Sequence, residues 1–139
     1  MRLETILVVD DNLAARRLMR IVLAQEGYRV LMAKDLDKAL TLCRGRIHFD
    51  LLIVEAILRT MRGKLVAECF NELRPGVPIL YTSGRPLAEL IEEGLVDPRS
   101  LQHGKAHFIQ KPFTVKGLLQ TVSQILEPRE PIRQTARGQ

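Results

Sequence analysis

The chain has 139 residues, of which 46% are hydrophobic, 27% charged and 4% aromatic, and its 21 basic and 16 acidic side chains give a net charge of +5. That length suits one domain with a substantial core, and the apolar fraction excludes disorder across most of it. No apolar run approaches the ~20 residues that span a bilayer. The N-terminus also lacks the apolar stretch and small-residue cleavage site of a signal peptide, so the cytoplasm is the expected compartment. Two cysteines, Cys43 and Cys69, and three histidines, His48, His103 and His107, do not make a disulfide framework or a zinc site. Both cysteines are read as small hydrophobes on helix core faces. The positive charge is spread along the chain and has few aromatics to accompany it, so it is read as solvated surface rather than a nucleic-acid interface.

The predicted elements alternate. Ile6-Leu7-Val8-Val9 is a continuous aliphatic run of the kind buried on both faces of a sheet. Asp10, Asp11 and Asn12 end it and offer helix N-caps. A helix follows from about Leu13 to Glu26, with Ala14, Leu18, Ile21 and Val22 on one face and Gly27 as its stop. Tyr28 to Ala33 reads as a second strand. Asp35 caps a second helix carrying Leu36, Ala39, Leu40 and Cys43. Asp50 to Val54 is a third strand closed by Glu55, and a loop runs to Gly63. The next helix is expected to turn Leu65, Val66, Cys69, Phe70 and Leu73 inward before Pro75-Gly76 breaks it. Val77 to Tyr81 is a fourth strand ended by Thr82-Ser83-Gly84. A helix from Pro86 to about Glu93 follows, then a loop marked by Asp97-Pro98 and Gly104. His107 to Gln110 is a short fifth strand ending in Lys111-Pro112. The last helix runs from about Thr114 to Leu126, with Val115, Leu118, Leu119, Val122, Ile125 and Leu126 on its apolar face. From Glu127 the pattern stops. Residues 1–126 are therefore expected to form one domain and 127–139 a flexible basic tail.

Five strands alternating with five helices imply an α/β fold with a parallel sheet covered on both faces. Ligands in such folds bind outside the carboxyl ends of the strands. Those ends carry Asp10 and Asp11, then Glu55, then Thr82 and Ser83, then Lys111. Singly, each is an ordinary cap, turn or surface residue. Together they place carboxylates, a hydroxyl and an ammonium on one sheet edge. Clustered carboxylates call for a cation, and hard oxygen ligands suit Mg²⁺. A hydroxyl and an ammonium beside them suit a phosphoryl group. The chemistry indicated is Mg²⁺-assisted phosphoryl transfer to a carboxylate.

The segments Ile6 to Asn12, Asp50 to Glu55, Thr82-Ser83-Gly84 and Phe108 to Phe113 resemble the receiver domain of two-component response regulators. The likeness runs from about Thr5 to Leu126. It implies the flavodoxin-like, doubly wound strand order 2-1-3-4-5. It also implies roles: Asp10, Asp11, the acceptor position Glu55 and the backbone carbonyl of Ile57 around Mg²⁺, with Thr82 and Lys111 on the phosphoryl oxygens. Phe108 takes the aromatic switch position, and Pro112 the cis proline after the lysine. The resemblance further implies a histidine kinase or another signalling protein as partner. Homodimerisation through the fourth helix, fifth strand and last helix follows by the same analogy.

The sequence departs from that pattern at the acceptor, where Glu55 replaces aspartate. Arg59 and Arg62 alter the following loop, Ser83 replaces a smaller residue, and Phe108 lacks a tyrosine hydroxyl. The added methylene pushes the carboxylate about 1.5 Å further into the pocket. Misplacement by about 1 Å costs in-line chemistry on the order of 10²-fold. Conventional phosphorylation is therefore not expected, and Mg²⁺ binding is expected to be weakened or lost. Glu55 instead reaches toward Lys111 and Thr82, holding a partial active-like state with one negative charge against about 1.5 to 2 for a phosphoryl group. The leading expectation is a stand-alone, non-enzymatic signalling receiver acting by protein contact. The alternatives are a receiver still phosphorylated by a histidine kinase and, least favoured, a small Mg²⁺-dependent phosphohydrolase.

Overall fold

The computed structural model describes residues 4–127, so most of the expected tail, 127–139, lies outside the described residues. Five parallel strands form one sheet: β1 (Thr5–Val9), β2 (Arg29–Ala33), β3 (Leu51–Glu55), β4 (Ile79–Ser83) and β5 (Ala106–Gln110). Their order is β2-β1-β3-β4-β5, as the resemblance implied. The connecting helices are α1 (Leu13–Gln25), α2 (Leu36–Arg44), α3 (Val66–Leu73), α4 (Leu87–Glu92), α5 (Pro98–Gln102) and α6 (Val115–Leu126). No helix among the described residues is long and apolar enough to cross a membrane.

β1 and β3 are aliphatic throughout because both faces of the sheet are covered. Strand side chains alternate between faces, so each strand feeds two cores. Leu7, Val9, Leu52 and Val54 pack with α2 and α3 around Phe49 and Phe70. Ile6, Val8, Leu51 and Ile53 pack with α1 and α6 around Met19, Leu23 and Leu118. A third, smaller cluster of Ala56, Leu90 and Val96 lies under α4, with Tyr81 and Phe108 against it. Arg74 braces the first core: its guanidinium donates to Ile47 O at 3.0 Å and Cys43 O at 2.7 Å and lies 5.2 Å from the Phe49 ring centroid.

Local signals set the boundaries. The side chains of Asn12, Asp35 and Thr114 accept from the backbone N–H three residues on at 2.8, 3.0 and 2.8 Å, capping α1, α2 and α6. Gly27 follows α1 with φ +96°, a conformation that disfavours any side chain.

Several sequence expectations shift. Tyr28, expected in the second strand, precedes it, and β4 extends through Thr82 and Ser83. The single turn of α5 stands where a loop was expected. Asp97 starts it, its side chain accepting from Arg99 N–H at 2.8 Å, and Pro98 occupies the first turn; one turn is too short to show periodicity. On α1 the buried residues are Met19, Val22 and Leu23, while Leu18 and Ile21 are 47% and 57% exposed. Apolar residues cover more than one face of this helix, so spacing alone did not orient it. Leu73 and Val115 are likewise exposed rather than inward. Cys43 is buried and Cys69 half-buried, and both are free thiols.

The α1 orientation predicts a contrast in urea unfolding. Met19→Ala is expected to cost about 2–5 kcal/mol and Ile21→Ala to stay within about 0.5 kcal/mol of the native chain.

Candidate functional site

The carboxyl ends of β1, β3 and β4 and the turn after β5 meet at one edge. Parallel pairing makes this unavoidable: Val9 is level with Val54, Glu55 with Thr82 and Ser83 with Gln110. The backbone then fixes the next residues. Asp10 N–H donates to Ala33 O at 3.1 Å, Ala56 N–H to Thr82 O at 2.8 Å, and Lys111 N–H to Ser83 O at 2.8 Å. The Lys111-Pro112 peptide is cis.

The centre of the site is the Lys111 ammonium. Its Nζ donates to Asp10 Oδ2 at 2.8 Å and to Glu55 Oε1 at 3.1 Å. The three side chains are 25%, 1% and 12% exposed respectively, so the contacts are shielded from bulk water. Burial by itself lowers the lysine pKa, but its hydrogen bonds to Asp10 and Glu55 outweigh this and leave it raised. Asp10 is further held by Asn12 N–H, which donates to Oδ1 at 2.8 Å. The Arg16 guanidinium, on α1, reaches back to the end of β1 and donates to the Asp10 backbone carbonyl at 2.7 Å. Neither the Asn12 nor the Arg16 contact is foreseeable from strand-end counting, because both come from the first turn of α1.

Two polar atoms in this pocket are buried without a hydrogen-bond partner among the described residues: Glu55 Oε2 and Thr82 Oγ1. They belong to register partners on adjacent strands. Ser83, also buried, accepts from Arg85 N–H through its hydroxyl at 3.1 Å. Arg85 is paired with Glu89 and Glu93, tying the turn to α4. Phe108 is half-buried against the cluster under α4. Ile57 lies in the loop after β3, where Leu58 N–H closes a turn onto Glu55 O at 3.1 Å. In the same loop Arg59 donates to Gly63 O at 2.6 Å. Pro112 follows Lys111 at the exposed start of the loop to α6.

The structure thus brings Asp10, Glu55 and Lys111 into direct contact, with Thr82 level with Glu55. Asp11, in contrast, is exposed. Among the described residues no three His, Cys, Asp or Glu side chains converge closely enough to hold a metal ion. Both Asp10 oxygens and one Glu55 oxygen already accept hydrogen bonds. Each of these oxygens retains a second lone pair, so Asp10 and Glu55 are chemically able to ligate Mg²⁺ beside Lys111.

The family profile of the response regulator receiver domain matches residues 6–123. The chain belongs to this family. The probable transcriptional regulator ycf27 of Cyanophora paradoxa is 31% identical over 129 residues, covering 91% of this chain and 50% of that protein. The probable transcriptional regulatory protein TcrX of Mycobacterium tuberculosis is 25% identical over 122 residues, 88% of this chain and 49% of that protein. The receiver thus spans about half the length of these curated relatives. Among solved structures, a CheY-like receiver domain protein from Methanospirillum hungatei superposes with TM-score 0.72 at 28% identity, covering 91% of this chain and 95% of that one.

Removing the receiver's ammonium leaves Asp10 and Glu55 facing each other unpaired. Lys111→Met is therefore expected to lose about 3 kcal/mol of stability at neutral pH, measured by urea unfolding. The raised lysine pKa also sets a pH dependence. A group whose pKa is raised by folding stabilises fully below its unfolded value, here 10.5, and loses that contribution as pH rises through the folded value. The native chain should therefore lose this increment in the alkaline range and Lys111→Met should not. Tyr81, whose pKa burial also raises, titrates in both chains and cancels in the difference. Equal alkaline slopes for the two chains would contradict the assignment.

Proposed function

We propose that this receiver signals by protein–protein contact, with its switch set by Glu55 in the place of a phosphoryl group. The observation that carries the reading is the 3.1 Å contact from Lys111 Nζ to Glu55 Oε1. In this reading the glutamate carboxylate satisfies the lysine that would otherwise meet a phosphoryl oxygen. The same contact argues against Glu55 as a phosphate acceptor. A carboxylate that attacks phosphorus needs an oxygen facing the donor in line. Here Oε1 accepts from Lys111 and Oε2 is buried.

Thr82 is the second half of the switch. Its hydroxyl is buried and unbonded, as is Glu55 Oε2 opposite it. A bond between them would complete on the threonine side what Lys111 completes on the other. Glu55 carries one charge where a phosphoryl group carries about 1.5 to 2. The pull on Thr82 is correspondingly weaker, and the active-like bias is partial. Thr82 is level with Ile109, and its neighbour Tyr81 is level with Phe108. Movement of Thr82 therefore bears on Phe108 and on the cluster under α4. The face formed by α4, β5 and α6 is the proposed output surface, toward a histidine kinase, another signalling protein or a second copy of this chain. Asp10, Lys111 and Pro112 hold the pocket that sets the state of this face.

The test is incubation with a small acyl phosphate and Mg²⁺, followed by intact mass. The native chain is expected to gain no phosphoryl group, and Glu55→Asp to gain one. Rapid, stoichiometric labelling of the native chain would contradict the reading and favour a receiver that still accepts phosphate. Repeated turnover of a phosphate ester would favour a phosphohydrolase.

A further inference from the structure

We propose that the turn between β3 and α3 is a docking element for an acidic protein segment, with Met61 as its apolar tip and Arg59 and Arg62 as its charges. The switch leaves these residues unused, so the inference goes beyond the proposed function and does not rest on it. The turn is closed by hydrogen bonds throughout. Val66 N–H donates to Leu58 O at 2.9 Å and Thr60 N–H to Lys64 O at 2.7 Å, and Arg59 and Leu65 pair as an antiparallel bridge. Gly63 N–H donates to Thr60 O at 2.9 Å, and the Thr60 hydroxyl accepts from the backbone N–H groups of Arg62 and Lys64 at 3.2 and 3.1 Å. Gly63 takes φ +86°, a left-handed value that glycine adopts without strain. A turn preorganised in this way gives up little conformational freedom when it docks.

Its exposed side chains set the chemistry of the partner. Met61 is fully exposed and Ile57 is 44% exposed. Arg59, Arg62 and Lys64 stand beside them, all exposed. Lys64 is neutralised by Glu72 at 2.9 Å. Among the described residues no acid pairs with Arg59 or Arg62, and the Arg59 guanidinium keeps its charge because it donates to a carbonyl, Gly63 O at 2.6 Å. Two uncompensated positive charges around an exposed thioether fit a segment that offers carboxylates and an apolar recess. Arg and Met are enriched in protein interfaces, and the unbranched Met side chain adapts to irregular recesses. A membrane fits less well, since two basic side chains and one apolar tip give roughly millimolar affinity. A nucleic acid calls for a longer basic track or stacking aromatics. A second copy of the chain is disfavoured because four of its exposed acids, Glu72, Glu89, Glu93 and Asp97, are already paired internally. The turn also adjoins the pocket: Leu58 N–H donates to Glu55 O at 3.1 Å, so a docked partner sits at the rim of the switch.

The test uses the ¹⁵N-labelled full chain and a short soluble peptide of glutamates with interspersed leucines, with an all-glutamate peptide alongside. The mixed peptide is expected to shift amide resonances centred on residues 57–64, to bind more tightly than the all-glutamate peptide, and to weaken as salt is raised. Met61→Ser is expected to weaken binding about tenfold through the loss of one buried apolar side chain. Arg62→Glu is expected to weaken it at least about tenfold by reversing a charge. Both positions are exposed, so both variants are expected to keep the native melting temperature, which separates lost docking from lost folding. The proposal is overturned if the mixed peptide does not bind, if its shifts fall elsewhere, or if Met61→Ser binds as well as the native chain. Tighter binding to phosphatidylserine vesicles than to the peptide overturns it in favour of a membrane. A native dimer that Met61→Ser abolishes overturns it in favour of a second copy. None of these readouts depends on phosphodonor labelling, so this inference and the proposed function fail separately.

Discussion

One ammonium group between two carboxylates organises this receiver. Lys111 meets Asp10 across 101 residues of sequence and Glu55 across 56. The contact joins the ends of β1 and β3 to the turn after β5. Closing loops of that length carries an entropic cost that grows only slowly with length. That cost is met by the two cores on either side of the sheet, and the pocket is assembled on a frame they already hold. Taking these charges out of water is itself unfavourable. The geometry is retained because the Lys111 ammonium is paired with both acids and Asp10 is held further by Asn12 N–H.

The partners that are missing are as informative as those present. Buried polar groups are nearly always hydrogen-bonded, and in the proposed switch the unbonded Glu55 Oε2 and Thr82 hydroxyl are the two atoms that a second arrangement would join. The lysine half of the linkage is made and the threonine half is not. From Thr82 the route outward is short: β4 pairs with β5, and Tyr81 and Phe108 both touch the small cluster beneath α4. Among the described residues that cluster holds only Ala56, Leu90 and Val96 as fully buried members. It has less packing to disrupt than the two main cores, which suits the part of the fold that the proposed switch would move.

Much of this was legible in the sequence, for physical reasons. The aliphatic runs of β1 and β3 admit no reading but buried strands, and the residues closing each strand had to share an edge once the strands were parallel. That argument placed Asp10, Glu55, Thr82 and Lys111 correctly beside one another. It did not separate Asp10 from Asp11, since successive residues leave a strand in opposite directions and only the backbone decides which turns inward. It missed Arg16 and the Asn12 amide because they approach from a helix. On α1, Leu18 and Ile21 share helical spacing with Val22 yet face outward, because the pattern has more apolar positions than the core has room for. The turn of α5 escaped because its signals, an aspartate cap and Pro98, also belong to loops.

The central claim is that the Glu55 carboxylate and the Lys111 ammonium are energetically coupled in the folded chain. A double-mutant cycle measures this directly, with Lys111→Met, Glu55→Gln and the double variant compared by urea unfolding at neutral pH. The account predicts a coupling of about 1–3 kcal/mol, with the double variant less destabilised than the sum of the singles. A coupling indistinguishable from zero would contradict it.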